Sequence, residues 1–310
     1  MTGSNLMEKP LEIVCGVDSA YAPHLGVLLR SISSSNTSSL IRVHVLHDGV
    51  NDHLQKKVES CAPHLTIEWH GIVDHQALGF QPLLQISRAT YLRLIIDDVL
   101  SPLIKRVLYL DVDMIVNGDL TPLWSTDLKG NPCAAVVDPG IPADAFAAKH
   151  ALSPSAPYFN AGVLLLDLEL IRNEGLLKKA IKILADPNQE CEYADQDALN
   201  IVFWDRWVAL DPAWNFQRKF LYDGFASWYA LSPKRQSAPL IVHYTEQYKP
   251  WKKSEWHPYA WLYLKNLLQT PFNREIMHSG GLGVFDQWKW WLRWRLKRPA
   301  IFVQNSIKDI

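Results

Sequence analysis

Two aspartates, Asp111 and Asp113, interrupt an otherwise apolar stretch of the chain. In an extended strand, side chains two residues apart point to the same side, so the two carboxylates would project together. Carboxylates on one face repel each other unless a cation lies between them, and Mn²⁺ or Mg²⁺ prefers such oxygen ligands. The pair therefore indicates a metal site. Capping or solvating a turn is an equally frequent role for so short a motif.

Polar and aromatic side chains follow an apolar run late in the chain, from His243 to Trp251. At the end of a strand, the neutral ring of His243 can supply a third metal ligand, and Lys249 can contact phosphate oxygens as a mobile point charge. Pro250 and Trp251 would stiffen and anchor this segment. A single histidine more often forms a structural hydrogen bond, so the metal-ligand interpretation depends on the aspartate pair.

The first apolar run ends at Val17 and is followed by Asp18 and Tyr21. It lacks the GxGxxG pattern of dinucleotide-binding folds, and the chain lacks the GxxxxGK(S/T) phosphate loop, which argues against a dehydrogenase and a P-loop enzyme. An aspartate can accept a hydrogen bond from a base or ribose, and an aromatic ring can stack on the base. With a carboxylate pair for a metal, these residues suit a nucleoside diphosphate bound through a cation.

The elements that must position these residues follow two alternating hydrophobic patterns. Apolar runs rich in β-branched residues predict strands at Leu11–Val17, Ile41–Leu46, Leu65–Trp69, Arg106–Leu110, Cys133–Val137, Tyr158–Leu166 and Leu240–His243. Helical patterns lie at Leu25–Ser34, Asp52–Cys61, Ser87–Leu100, Leu168–Ala185, Asp195–Val202 and Pro258–Leu268. The alternation predicts an α/β fold with a mainly parallel sheet, whose ligand crevice lies beyond the carboxyl ends of the strands. Asp18 and Asp111 would line that crevice.

Composition narrows the class of protein. A chain of 310 residues with 48% hydrophobic content can bury a large core and fits one α/β domain, with or without a tail. A net charge of −1 gives no overall field to attract nucleic acid, so no nucleic-acid partner is expected. The four cysteines are widely spaced, and Met1 to Pro10 lacks the pattern of a signal peptide. We therefore expect a reduced, cytoplasmic protein without a transmembrane segment.

Seven ordered segments resemble the retaining glycosyltransferases of family 8, which include bacterial lipopolysaccharide galactosyl- and glucosyltransferases and the glycogenins. The similarity spans about Leu11 to Trp256, through Val17–Tyr21, Thr90–Leu94, Val107–Asp113, Leu120–Trp124, Tyr158–Val163, Asp195–Asn200 and His243–Trp251. The resemblance implies a GT-A fold, dependence on Mn²⁺ or Mg²⁺ through a DxD motif, a UDP-sugar donor, and transfer with retention at the anomeric carbon.

The resemblance also implies roles for individual residues. The implied metal ligands are Asp111, Asp113 and His243. The implied nucleoside and diphosphate contacts are Asp18, Tyr21 and Lys249. The residues that match those around the transferred sugar, and between sugar and acceptor, are Arg93, Asn160, Asp195, Gln196 and Asp138. Without the resemblance, structural roles are equally reasonable for three of these residues. Arg93 could be a charge on a helix surface, Asn160 a buried turn residue and Asp195 a helix cap.

Gln196 is the residue expected to act at the reacting carbon. Its amide oxygen is not a strong nucleophile, but it can stabilise an oxocarbenium-like centre. That role suits attack from the face on which UDP departs, while the divalent ion and Lys249 stabilise the charge that develops on UDP. A covalent intermediate on Asp195 is the weaker alternative.

One position departs from the family pattern. The family usually has glycine three residues after the histidine, and here the residue is Glu246. Glutamate adds bulk and negative charge beside two phosphates, so either donor affinity is weakened or the side chain turns outward toward an acceptor hydroxyl. A catalytically weakened UDP-sugar-binding protein is therefore the alternative function. A phosphatase of the Asp-x-Asp type is disfavoured, because Ile115 stands where it would have threonine or valine and its downstream aspartates are missing.

We predict two regions, a catalytic domain at residues 1–270 and a basic, tryptophan-rich tail at residues 271–310. From Val284 to Arg298, apolar residues recur at helical spacing beside a basic stripe. Such a helix suits the interface of an anionic bilayer, and Trp290 and Trp294 add aromatic rings outside the main apolar stripe. We expect peripheral association with the cytoplasmic face of the inner membrane, and a helix docked on its own domain is the alternative.

Together these features favour a hexosyltransferase that moves galactose or glucose from a UDP-sugar to a glycan or lipid-linked glycan. The expected acceptor is a precursor of lipopolysaccharide or of another cell-surface glycan. The choice of sugar and acceptor would depend on pocket shape in loops such as Gly140 to Pro157.

Overall fold

Strands and helices alternate along the chain. The computed structural model describes residues 10–72, 88–154, 156–221, 239–245, 247, 249–253, 257–293 and 295–296. The strands are β1 (Leu11–Asp18), β2 (Ile41–Asp48), β3 (Thr66–Gly71), β4 (Arg106–Leu110), β5 (Met114–Val116), β6 (Cys133–Val137), β7 (Phe159–Asp167), β8 (Trp207–Ala209), β9 (Phe216–Gln217) and β10 (Ile241–His243).

The helices that cover these strands are α1 (Ala22–Ser35), α2 (Asp52–Glu59), α3 (Ile96–Val99), α4 (Thr121–Trp124), α5 (Ala143–Lys149), α6 (Leu168–Glu174), α7 (Leu176–Ala185), α8 (Asp195–Phe203), α9 (Ala260–Leu267), α10 (Asn273–Ser279) and α11 (286–293). Short 3₁₀ segments lie at Arg88–Ile95, Pro212–Trp214 and Arg218–Leu221. No helix in the described ranges is long and apolar enough to cross a bilayer.

Seven strands form a mixed sheet in the order β3-β2-β1-β4-β7-β6-β8. The pairs β2–β3, β1–β2, β1–β4 and β6–β8 are parallel, and β7 runs antiparallel to β4 and β6. The predicted α/β class with a mainly parallel sheet is confirmed. A second sheet, β5-β10-β9, places His243 opposite Met114 and beside Gln217.

The main sheet is buried on both faces. Along β1, Ile13 and Cys15 belong to one apolar cluster and Val14 belongs to the cluster on the other face. Along β4, Leu108 and Tyr109 divide between the same two clusters. Burial on both faces explains why these strands are continuous apolar runs in the sequence, without polar alternation.

Two predicted helices differ from the observed elements. The helix predicted over Leu168–Ala185 is broken into α6 and α7 at Gly175, whose φ of +61° lies in the left-handed region that glycine adopts without strain. The second helix is predicted over Ser87–Leu100. Its described part begins with a 3₁₀ segment, Arg88–Ile95, and only Ile96–Val99 is α-helical. Ser87 lies outside the described residues.

Several side chains beyond residue 270 join the apolar cluster beneath α1. Phe272 and Ile276 are buried in that cluster, and a Cβ on Gly26 of α1 would lie 2.8 Å from the Phe272 ring. Trp290 of α11 is also buried there, so the expectation that its ring is available to a membrane is wrong. The domain boundary at residue 270 stays a prediction, and the packing of Phe272 provides a test of it.

We expect Phe272→Ala to lower the free energy of unfolding by about 3–5 kcal/mol, because it leaves a cavity in the core. Phe285→Ala is the matched control, since that ring is 79% exposed, and its effect should stay within about 0.5 kcal/mol. Urea unfolding followed by tryptophan fluorescence measures both. An unchanged midpoint for Phe272→Ala, or a separate early transition in the wild-type chain, would mean that residues beyond 270 form an independent unit.

Candidate functional site

The aspartate pair lies where the chain leaves the main sheet. Strand β4 ends at Leu110, and Asp111, Val112 and Asp113 form a bend before β5. Because this segment is a bend, the alternation of side chains along an extended strand does not explain why the two carboxylates lie close together. Both nevertheless line one cavity of about 280 Å³ at the carboxyl end of β4, where the fold class predicted a ligand site.

The three residues predicted as metal ligands meet at this bend. The Nε2 atom of His243 lies 3.3 Å from Asp113 Oδ1 and 3.8 Å from Asp111 Oδ2. One ligand atom from each residue lies within 4.8 Å of the others. When the ligand atoms of an octahedral ion lie about 2.1 Å from the ion, neighbouring ligand atoms lie about 3 Å from each other. One ion therefore fits here with small side-chain movements. Two carboxylates and an imidazole suit Mn²⁺ or Mg²⁺.

Hydrogen bonds orient the carboxylate of Asp111. Arg93 Nη2 and the hydroxyl of Tyr109 each donate to Asp111 Oδ1 over 2.8 Å. The other oxygen, Oδ2, is the one that faces His243. Such donors behind a ligand fix its direction, and their loss commonly weakens metal binding about 10–100-fold.

A chain of side-chain amides sets the tautomer of His243. The Nδ2 of Asn160 donates to Asp138 Oδ2 over 3.0 Å, so the Oδ1 of Asn160 accepts from Asn215 Nδ2 over 2.9 Å. The Oδ1 of Asn215 then lies 2.9 Å from His243 Nδ1 and accepts its proton. An ionised carboxylate only accepts, so it fixes the direction of each bond in the chain. The lone pair of a neutral His243 ring is therefore on Nε2, toward the two aspartates.

Gly162 makes room for the histidine. A Cβ at this position would overlap the His243 ring and lie 2.8 Å from the end of Met114. The Gly162 amide also donates to Asn160 Oδ1 over 3.0 Å. Strand β7 therefore needs glycine here, because any side chain would push His243 away from the aspartates.

Lys249 completes the ionic contacts of the site. Its Nζ lies 2.7 Å from Asp113 Oδ2 and 2.7 Å from the carbonyl oxygen of Tyr244. Burial raises the pKa of Asp113, but Lys249 and His243 outweigh it and hold this pKa well below its usual value. Burial lowers the pKa of Lys249, whereas Asp113 raises it, and the net change is upward. At neutral pH both groups are therefore charged.

Aromatic packing anchors the segment that carries Lys249. The ring of Trp251 stacks on His24 of α1 with a centroid distance of 3.8 Å. It also contacts Tyr263 of α9 at 5.3 Å. Burial lowers the pKa of His24 to about 3, so its ring is neutral against the indole. Trp251 has the anchoring position that its place after Pro250 predicted. Glu246 lies outside the described residues.

Gln196 and Asp195 begin α8 but occupy different environments. Gln196 lines the cavity, accepts from the Ala161 amide over 2.9 Å and donates to Asp138 Oδ2 over 3.3 Å. Asp195 is only 2% exposed, and its Oδ2 lies 2.8 Å from Arg93 Nε. Burial raises the pKa of Asp195 to about 7, against the opposing effect of Arg93. A buried, paired carboxyl of this kind is poorly placed to attack a ligand in the cavity.

The two predicted nucleoside contacts lie at the end of β1 and just after it, and only Tyr21 belongs to the described lining of the cavity. Tyr21 lines the cavity, and Asp18 Oδ1 accepts from the Tyr21 amide over 2.9 Å, which shapes the turn into α1. Two residues that the sequence analysis did not select are Tyr109 and Asn215, which orient Asp111 and His243. Tyr109 resembles an ordinary core residue of β4 and Asn215 an ordinary turn residue, so neither carries a sequence signal of its own.

The cavity is suited to an anionic ligand held through a cation. Arg93 and Lys249 contribute positive charge, the two aspartates contribute metal ligands, and Tyr21 contributes an aromatic ring. The described lining consists of Gly16, Tyr21, Ala89, Thr90, Arg93, Tyr109, Asp111, Val112, Asp113, Gln196, His243, Thr245 and Lys249.

Comparison with known proteins identifies relatives that cover most of the chain. Glycosyl transferase family 8 matches residues 12–255. The chain is 28% identical over 282 residues to general stress protein A of Bacillus subtilis, covering 86% of this chain and 96% of that protein. It is 30% identical over 270 residues to the lipopolysaccharide 1,2-glucosyltransferase of Escherichia coli, covering 84% of this chain and 79% of the relative.

A solved structure is similar over the same extent. The galactosyltransferase LgtC, in complex with donor and acceptor sugar analogs, aligns with a TM-score of 0.74 and 26% identity. The alignment covers 87% of this chain and 100% of LgtC. This similarity confirms the predicted GT-A fold.

We expect Asp113→Asn to abolish Mn²⁺ binding in titration calorimetry, because the amide removes one anionic ligand from the site. The matched control is Asp144→Asn, which changes an exposed aspartate outside the cavity and should bind Mn²⁺ like the wild type. Undiminished Mn²⁺ binding by Asp113→Asn would refute the metal assignment.

Proposed function

The chain belongs to glycosyl transferase family 8, and we propose that it is a metal-dependent, retaining hexosyltransferase. In this proposal it transfers galactose or glucose from a UDP-sugar to a glycan acceptor. The observation that carries the proposal is the convergence of Asp111, Asp113 and His243 on one point beside Lys249. This arrangement can hold a divalent ion and a diphosphate together, as the departure of UDP requires.

The charges of the site support a diphosphate leaving group. Lys249 Nζ lies 2.7 Å from Asp113 Oδ2. A divalent ion bound to Asp113 would compete for the same carboxylate, and the phosphates of the donor would offer new acceptors to the lysine. We propose that Lys249 turns from Asp113 to the diphosphate when metal and donor bind. The ion and the ammonium group would then stabilise the negative charge that develops on UDP.

The position of Gln196 supports transfer with retention. Its side chain lies in the cavity wall, held by the Ala161 amide and Asp138. In the proposed mechanism, its amide stabilises an oxocarbenium-like centre while the acceptor attacks from the side on which UDP leaves. Asp195 is buried against Arg93, so we assign it a positioning role instead of nucleophilic attack. Asp138 and Asn160 would orient Gln196 and the incoming acceptor.

The relatives support the proposed substrates. One relative is named a lipopolysaccharide 1,2-glucosyltransferase, and a protein of Salmonella typhimurium that is 29% identical over 270 residues is named a lipopolysaccharide 1,3-galactosyltransferase. We therefore propose a lipopolysaccharide precursor, or another cell-surface glycan precursor, as acceptor. The cofactor proposed for the aspartate site is Mn²⁺, with Mg²⁺ as the alternative.

One sequence feature favours a second candidate function. Glu246 replaces the family's usual glycine near the expected diphosphate, and its negative charge would repel phosphate. The alternative is therefore a protein that binds a UDP-sugar with metal but transfers it slowly or not at all. Release of UDP distinguishes the two functions.

An exposed apolar face on α11 supports association with a membrane surface. Phe285, just before α11, is 79% exposed, and Trp288 and Leu292 of α11 are 64% and 50% exposed, although α11 is attached to the core through Trp290. Lys289 and Arg293 are exposed on the same helix. Aromatic and basic side chains together bind the interface of an anionic bilayer. We propose that this face holds the enzyme at the cytoplasmic side of the inner membrane, near a lipid-linked acceptor.

We predict that UDP-galactose or UDP-glucose releases UDP in the presence of Mn²⁺ and acceptor, and that a chelator abolishes the release. Gln196→Ala should lower kcat by about 10²–10³-fold, the usual loss when a group that stabilises the transition state is removed. Its affinity for UDP should stay within about twofold of the wild type, since Lys249 and the metal bind the diphosphate. A coupled UDP assay and calorimetry measure the two quantities.

The matched control is Gln189→Ala, which changes an exposed glutamine and should keep full activity. NMR of the product tests the stereochemistry, because an α-linked donor should give an α-glycoside. A β-linked product would contradict retention. Mn²⁺-dependent binding of UDP-sugars without any UDP release would favour the weakened binding protein.

For the membrane, we predict that the wild-type chain sediments with vesicles containing anionic phospholipid and that high salt weakens this binding. The double variant Phe285→Ser and Trp288→Ser should bind much more weakly, while Trp290 still anchors α11. Leu103→Ser is the control, because Leu103 is an 89% exposed apolar residue elsewhere on the surface. Equal sedimentation of the double variant and the control would exclude this face as the membrane contact.

A further inference from the structure

A second group of ligand-type side chains lies outside the cavity, on one face of the main sheet. It consists of Glu12 on β1, His44 on β2, and Glu68 and His70 on β3. The parallel pairing places His44 beside Glu68 and Leu46 beside His70. Side chains at even positions of these strands therefore share a face. This cluster is separate from the aspartate site and has no part in the proposed transfer reaction.

The distances within the cluster are those of a metal site. His44 Nδ1 lies 3.1 Å from His70 Nε2 and 3.4 Å from Glu68 Oε2. Ligand atoms at about 2.0–2.1 Å from a tetrahedral ion are about 3.3–3.4 Å from each other. One ligand atom from each of the three residues lies within 4.8 Å of the others. An ion thus fits between them with little movement.

The tautomers of the two histidines decide what the cluster can bind. His44 Nε2 lies 2.9 Å from Glu12 Oε2, and a neutral imidazole has one N–H. If that N–H donates to Glu12, the lone pair of His44 Nδ1 points toward His70 Nε2, 3.1 Å away, and Glu68. That lone pair accepts the N–H of His70 when His70 is protonated on Nε2. When His70 is protonated on Nδ1, both nitrogens present lone pairs that can bind a cation.

The surrounding charges favour a cation. Arg42 Nη1 lies 3.6 Å from Glu12 Oε1, and Arg42 Nε lies 3.3 Å from Glu68 Oε1. One guanidinium therefore faces two carboxylates, which leaves a net negative charge around His44. The Glu12 side chain is only 13% exposed, so its charge is incompletely solvated.

We propose that His44 Nδ1, His70 Nε2 and Glu68 bind Zn²⁺. Two imidazoles and one carboxylate form a donor set typical of zinc sites with an open fourth position. Glu12 accepts the remaining N–H of His44, the arrangement by which carboxylates fix the tautomer of zinc-bound histidines. The Glu68 side chain is 44% exposed, so the ion has a path from solvent.

The proposed ion has a structural consequence. Among the strands that the structure describes, β3 lies at the edge of the sheet and pairs with β2 alone. A Zn²⁺ ion shared by His44 of β2 and the two ligands of β3 would clamp this edge strand. Because the ion binds only the folded pairing of the strands, it should raise the melting temperature of the chain.

Equilibrium dialysis of the full-length chain against Zn²⁺ tests the proposal. His70→Ala should lose one zinc equivalent, or bind it at least about tenfold more weakly. His64→Ala, which removes an exposed histidine just before β3, should bind like the wild type. Asp113→Asn should retain the equivalent that His70→Ala loses, which separates this site from the aspartate site. In the Asp113→Asn background, which disables the aspartate site, Zn²⁺ should raise the melting temperature of His64→Ala but not of His70→Ala.

Glu12→Gln gives an independent test, because it preserves the size of the orienting side chain. It should weaken zinc binding about 10–100-fold, as loss of an orienting carboxylate usually does. The proposal is overturned if His70→Ala and Glu12→Gln bind zinc like the wild type. It is also overturned if the zinc equivalent disappears in Asp113→Asn and persists in His70→Ala. In either case His44 and His70 would be joined by a direct hydrogen bond and not by an ion.

Discussion

Repulsion between the carboxylates of Asp111 and Asp113 is the constraint on which the site depends. The chain holds them together in the bend after β4, where bulk water cannot fully screen them. Arg93 compensates one carboxylate and Lys249 the other, each over less than 3 Å. This compensation leaves one oxygen of each aspartate facing His243. Three ligand-type atoms therefore converge on one point beside two cationic side chains.

A chain of hydrogen bonds through the protein interior orients His243 toward these two carboxylates. The carboxylate of Asp138 accepts a hydrogen bond from the side-chain amide of Asn160, which fixes the orientation of that amide. Asn160 in turn orients Asn215, and the amide oxygen of Asn215 accepts the N–H of His243 Nδ1. Gln196 donates to the same carboxylate. Asp138 therefore connects the residue expected at the sugar with the residue expected at the metal. A change at Asp138 would disturb both, although it contacts neither the ion nor His243.

The sequence predicted those parts of the structure that depend on local pattern. The boundaries of β4 and β6 match the predicted runs, because both strands are apolar and buried on both faces. The residues of the candidate metal site could also be selected, since the aspartates follow a strand-like run and His243 ends one. Tyr109 and Asn215 were not, because their roles arise from contacts between distant segments. Strands of two or three residues such as β9 have too little periodicity to predict, and Trp290 became buried through packing that no local pattern records.

The central claim is that one divalent ion joins the aspartate pair, His243 and a UDP diphosphate. Crystals grown with Mn²⁺ and UDP, measured near the manganese absorption edge, test it most directly. We predict a single anomalous peak at coordination distance from Asp111, Asp113 and His243 Nε2, with Lys249 moved from Asp113 to a phosphate oxygen. Bound UDP without a peak at this position, or Lys249 still paired with Asp113 beside the bound diphosphate, would contradict the account.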